Sequence, residues 1–216
     1  MSFQVMMQQL LSGLGRSIGI FLLTLLFSLP LGLLVSFGRM SKNRILRSIV
    51  WIYISIMRGT PLMLQLLAVY FGPFYLFGMK LGSTWRFTAI IIAFSVNYAA
   101  YFAEIYRSGI ESMPVGQYEA AQLLGYSRAS TFMRIILPQV IKRILPSVTN
   151  EVITLVKDTS LAFSLAYAEM FTIAKQIAAK ETSFMPFLAA ALFYYVFNAV
   201  VAFGMERIEK ALDYYS

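Results

Sequence analysis

The chain has 216 residues, 59% of them hydrophobic and only 13% charged, where a soluble domain carries about 25% charged. It has no Cys and no His, which removes disulfides, thiolate catalysis, the usual zinc sites and the Ser-His-Asp arrangement. Its 18 Lys and Arg against 10 Asp and Glu give a formal charge of +8. No basic stripe with aromatics lies outside the apolar runs, so the charge speaks for the loops of a membrane protein and against nucleic acid.

A helix needs about 20 apolar residues to cross about 30 Å of hydrocarbon. Five runs fit that requirement, predicting an all-α protein with five transmembrane helices. The first covers roughly 15–38. Its uncharged stretch from Ser17 to Gly38 is too long for the core of a cleaved signal, and no small-x-small site follows it. The second covers roughly 48–71 and is interrupted by Arg58-Gly59-Thr60-Pro61. The third, fourth and fifth cover roughly 87–109, 147–169 and 185–205. No internal repeat or low-complexity stretch appears, so residues 1–216 read as one membrane domain.

The loops give an orientation. Arg39, Lys42, Arg44, Arg47, Arg107, Arg128, Arg134, Lys142, Arg143, Arg207 and Lys210 fall on one side, eleven in all. Arg16, Lys80, Arg86, Lys175 and Lys180 fall on the other, with Arg58 and Lys157 left inside the spans. The positive-inside rule then predicts an outside N-terminus and a cytoplasmic C-terminus.

The cytoplasmic segment 107–146 is patterned. Pro114 suits the start of a helix over 115–124, and Gly125 suits the left-handed position that ends it. Ser127 can cap a second helix over 128–137 that stops before Pro138. Two short helices around a Gly turn are suited to docking into a partner's groove. The plainer reading is a loop lying on the membrane surface.

Arg58, Lys157 and Asp158 fall near the middle of their spans. A charge there costs about 2.5–3.5 kcal/mol or more, so it faces a watery path or pairs with another charge across spans. Gly59 and Pro61 remove helical hydrogen bonds, which makes either a substrate-facing break or a simple kink. Asn97, Tyr101 and Glu104 stand at i, i+4 and i+7, on one face of the third span. That stripe could line a polar passage; alternatively, Glu104 pairs with Arg107 at i,i+3.

The loop also carries Glu119-Ala120-Ala121, three residues, Gly125, nine residues, then Ile135-x-Leu137-Pro138. This resembles, at every spacing, the EAA signature of ABC importer permeases. Arg58-Gly59-Thr60-Pro61-Leu62 with Gln65, the stretch Asn97 to Ile105 with Arg107 and Gly109-Ile110, and Lys157-Asp158-Thr159-Ser160-Leu161 resemble motifs of the polar amino acid subfamily. The resemblance implies a prokaryotic plasma-membrane permease working as a dimer with an identical or related second subunit. It implies two cytoplasmic ATPase subunits holding ATP and Mg, and an extracytoplasmic amino acid binding protein. No cofactor is implied in this chain. Residues 107–146 would be the coupling loop, with Gln117, Glu119, Ala120, Ala121 and Gly125 at the ATPase contact. Arg58 or Lys157 would suit a substrate carboxylate and Glu104 or Asp158 an ammonium, with Gln65, Asn97 and Tyr101 beside them. A passive channel or secondary carrier would also explain the spans and charges but not the loop, and a structural subunit without transport would leave the mid-membrane charges unexplained.

Overall fold

The computed structural model describes residues 1–82 and 84–212, and every regular element among them is helical. In hydrocarbon no water can satisfy backbone N–H and C=O groups, and a helix closes them within one segment. The helices are α1 (Phe3–Arg39), α2 (Arg44–Gly59), α3 (Leu62–Phe77), α4 (Trp85–Glu111), α5 (Val115–Leu123), α6 (Arg128–Thr131), α7 (Leu137–Asp158), α8 (Met170–Glu181) and α9 (Met185–Leu212).

By length and composition α1, α4 and α9 can each cross a membrane. The α2–α3 pair counts as a fourth span only if its two halves are taken together, and they meet at a bend of 112°. Of the two readings of this interruption, a break or a simple kink, the structure has the break, between two separate helices. Asn43 starts α2 by accepting from the Ile45 and Leu46 amides at 2.9 and 3.4 Å. Thr60 and Pro61 are extended between α2 and α3.

Two boundaries differ from expectation. α1 begins at Phe3 instead of near residue 15, because Met6 and Leu10 pack on Met170, Ala174, Ile177 and Ala190. The expected fourth span is helical only to Asp158. It then tightens into a 3₁₀ turn, Thr159–Leu165, and reverses at Ala166, a non-glycine residue with φ 51°. Two arginines hold that strained corner: Arg86 donates to the Ala166 carbonyl at 3.2 Å, and Arg16 to that of Ala168 at 2.8 Å.

α4 is the centre, with α1, α2, α3 and α7 around it. The α1–α4 seam is made of small groups. Thr24, Ser28, Gly32 and Ser36, spaced four apart, are all buried on α1, and Gly32 faces Ala99, Phe102 and Ala103 of α4. Lipid tails are as apolar as Leu, so helices in a bilayer associate through close packing more than through water exclusion. A Cβ on Gly32 would stand 2.8 Å from the Phe102 Cβ and 3.1 Å from the Ala99 carbonyl oxygen. Below the seam lies a core of Ile20, Phe94, Tyr98, Phe102, Leu155 and Val156.

Candidate functional site

The break between α2 and α3 leaves α2 carbonyls without helical donors, and three side chains supply them. Thr60 Oγ1 donates to the Ile56 carbonyl at 2.8 Å. Gln65 Nε2 donates to the Met57 carbonyl at 3.0 Å and to Thr60 Oγ1 at 2.8 Å. Asn97 Nδ2 donates to the same Met57 carbonyl at 3.0 Å and to Gln65 Oε1 at 2.9 Å. Asn97 is only 4% exposed. Gln65 and Asn97 therefore stand behind the break as a clasp joining α2, α3 and α4.

In front of the break is a recess of about 450 Å³ lined by Arg39, Trp51, Ser55, Arg58, Tyr101 and Glu104, among others. The Arg58 guanidinium lies 5.3 Å from the Tyr101 ring centroid, within cation–π range. Glu104 accepts from Arg107 Nη2 at 2.7 Å and from Nε at 3.2 and 3.3 Å. Arg39 Nε, from α1, stands 3.8 Å from the other carboxylate oxygen. The i,i+3 pair is therefore formed, and Glu104 still borders the recess.

The remaining two candidates lie elsewhere. Asp158 Oδ2 accepts from the Tyr98 hydroxyl at 2.7 Å, tying the end of α7 to α4. Lys157, one residue before, is exposed and lines a separate, mainly apolar recess with Phe171, Phe187 and Tyr194. The seven candidates thus divide among a clasp, a recess, a strut and a second recess.

Sequence reasoning missed Tyr98, Arg39 and Glu169. Glu169 is fully buried; it accepts from the Phe171 and Thr172 amides, both at 2.6 Å, from Thr172 Oγ1 at 2.8 Å, and from the Tyr194 hydroxyl at 3.0 Å. It caps α8 and joins it to α9. An acidic residue ahead of Met170-Phe171-Thr172 is an N-cap signal that could have exposed it. Nothing local in the sequence tells that Arg39 reaches Glu104.

In the loop, α5 ends at Leu123, Gly125 has φ 81°, and Ser127 caps α6 by accepting from the Ser130 amide at 3.2 Å. The second loop helix does not stop before Pro138. It widens into a π turn, Phe132–Ile136, and runs on into α7. A regular α turn would press the proline ring on the Arg134 carbonyl; a wider turn relieves that clash. Glu119 and Ala120 are exposed, Ala121 is buried, and Gln117 exchanges two hydrogen bonds with Gln139 at 2.9 and 3.0 Å. Leu123 and Leu124 are 90% and 77% exposed, an apolar tip at the turn.

The family described as binding-protein-dependent transport system inner membrane component matches residues 28–214. The L-cystine transport system permease protein TcyB of Bacillus subtilis (strain 168) is 37% identical over 94% of this chain and 86% of its own length. The putative glutamine transport system permease protein GlnP of Rickettsia bellii (strain RML369-C) is 39% identical over 88% of this chain and 86% of its own. A crystal structure of an amino acid ABC transporter with histidines superposes with a TM-score of 0.87 at 31% identity, over 98% of this chain and 99% of that one. With its broken α2–α3 pair, its α4-centred bundle and its exposed two-helix loop, the chain belongs to the inner membrane components of binding-protein-dependent transport systems, the permease subunits of ABC importers.

Proposed function

We propose that this permease imports polar amino acids across a prokaryotic plasma membrane, with ATP hydrolysed on partner subunits. The observation that carries the substrate class is the recess of Arg58, Tyr101 and Glu104 beside the broken α2–α3 pair. A guanidinium, a phenol and a carboxylate beside freed backbone suit a zwitterion, and broken helices are where transporters form substrate sites. The relatives named for cystine and glutamine transport support the same class.

In this reading Arg58, Tyr101 and Glu104 meet the substrate, Gln65 and Asn97 hold the break, and Lys157 and Asp158 border the path at the end of α7. The subunit makes and breaks no covalent bond. The bundle crosses the membrane five times, α7 being the polar fourth crossing, with the N-terminus outside and the C-terminus in the cytoplasm. Residues 107–146 are the coupling loop. The exposed Leu123 and Leu124 beside Glu119, Ala120 and Gly125 dock on a cytoplasmic ATPase that holds ATP and Mg. A second permease subunit, identical or related, completes the pathway, and an extracytoplasmic binding protein delivers the amino acid.

The test is the assembled complex in lipid vesicles. Vanadate-sensitive hydrolysis should rise when amino-acid-loaded binding protein is present on the outer side. Amino acid flux without ATP would instead establish a channel or secondary carrier.

A further inference from the structure

α2 is held by little protein. Of its sixteen residues only Ile54 is buried. Val50, Tyr53 and Met57 lie partly buried beside it, with Ala100 and Ala103 of α4 and Val35 of α1. The helix is cut off at both ends, by the Asn43 cap and by the extended Thr60 and Pro61. Ile45, Ile49, Ile52 and Ile56 stand at i, i+4, i+7 and i+11, so they form one row along the helix. All four are exposed.

The start of this helix is cationic without compensation. From Met1 to Ala103 there is no Asp or Glu. Lys42, Arg44 and Arg47 are exposed, and among the described residues none of them enters an ion pair. Glu104, the first acid in the chain, is held by Arg107 and Arg39. The turn that carries the three cations is ordered. Ser41 Oγ accepts from the Asn43 amide at 3.2 Å, and Asn43 Oδ1 from those of Ile45 and Leu46. The cations therefore stand together where the isoleucine row begins.

A partner in water would meet the cations and leave the row uncovered. A bilayer meets both, because acyl chains cover the isoleucines and headgroup phosphates lie where the row ends. Long Lys and Arg side chains reach that level while their stems stay against apolar surface. We propose that anionic phospholipid headgroups of the cytoplasmic leaflet bind at the start of α2, on Lys42, Arg44 and Arg47, with the Ile45–Ile56 row in the acyl layer above them. The leaflet follows from the orientation given with the importer reading, on which this inference rests.

The experiment places a single Cys at Ser48, one turn above Arg44, in a chain that has none of its own. A fluorophore is attached there before the ATPase is added, and the assembled complex is put into nanodiscs. Quenching is compared between phosphatidylglycerol and phosphatidylcholine, each brominated on its acyl chains. Phosphatidylglycerol should be preferred by about tenfold. Added salt should weaken the preference, and replacing Lys42, Arg44 and Arg47 together by Gln should abolish it. The ratio of the two lipids reads this change however much of the variant assembles. Equal quenching in the unsubstituted complex, or a preference that survives the triple change, would overturn the proposal. So would quenching by neither lipid, which would mean that another subunit covers α2. Inorganic phosphate in excess should not displace the brominated phosphatidylglycerol; displacement would make this a free-anion site and likewise sink the lipid. Hydrolysis stimulated by loaded binding protein is measured on the same preparation. If it persists while the two lipids quench equally, the importer reading stands and this inference alone is lost.

Discussion

The Met57 carbonyl accepts from both Gln65 and Asn97, so one freed backbone group ties three helices together. Asn97→Ala removes one donor to that carbonyl and strands the Gln65 carbonyl oxygen. Leaving such a group unpaired costs about 1–3 kcal/mol, so the purified complex should unfold at lower temperature, with Asn97→Asp no better because it cannot donate. Unchanged thermal stability of Asn97→Ala would show that the clasp is incidental. The Glu104–Arg107 pair is testable by a cycle. Each single change to Gln should destabilise, and the double change should cost less than the sum by about 1 kcal/mol, modest because both side chains are about a fifth exposed. Strict additivity would mean the two do not act together. The i,i+3 partner was readable from spacing alone. The separation of Asn97 from Tyr101 and Glu104 was not: all three share a face of α4, but α2 and α3 cover one end of that face and leave the other open.

Gly125 has φ 81°, a region closed to β-branched residues. Gly125→Val should insert and assemble into the membrane but lose transport and stimulated hydrolysis, because the α5–α6 turn that presents Leu123 and Leu124 would deform. Normal uptake by this variant would remove the loop from the coupling role. Gly32 fails for another reason. Its helix is regular, but a Cβ there would press on the Phe102 Cβ at 2.8 Å and the Ala99 carbonyl at 3.1 Å. Neither atom can swing away, so Gly32→Val should force α1 from α4 and cost about 1–3 kcal/mol, seen as reduced thermal stability and yield. The Gly125 turn was legible from Glu119 to Pro138 because cap, turn and spacing are local. The Thr24–Ser28–Gly32–Ser36 stripe was equally present in the sequence. It passed as part of an apolar run, because hydropathy records how greasy a helix is and not which side can be approached closely.

The proposed topology can be read with single cysteines, since the natural chain has none. A Cys at Arg44 should react with an impermeant thiol reagent only from the cytoplasmic side, and one at Lys80 only from outside. Labelling of both from the same side would overturn the orientation. Composition and run length were enough to make the chain a helical membrane protein, because in hydrocarbon a lone segment can close its backbone hydrogen bonds only as a helix. Spacing was enough to find the loop and its family, because caps and turns depend on residues a few positions apart. The 112° break, the end of α7 at Asp158, the reach of Arg39 to Glu104 and the parting of Lys157 from Arg58 needed the folded bundle. Each depends on which helix lies against which, and periodicity within one segment says which face is buried without naming the segment that buries it.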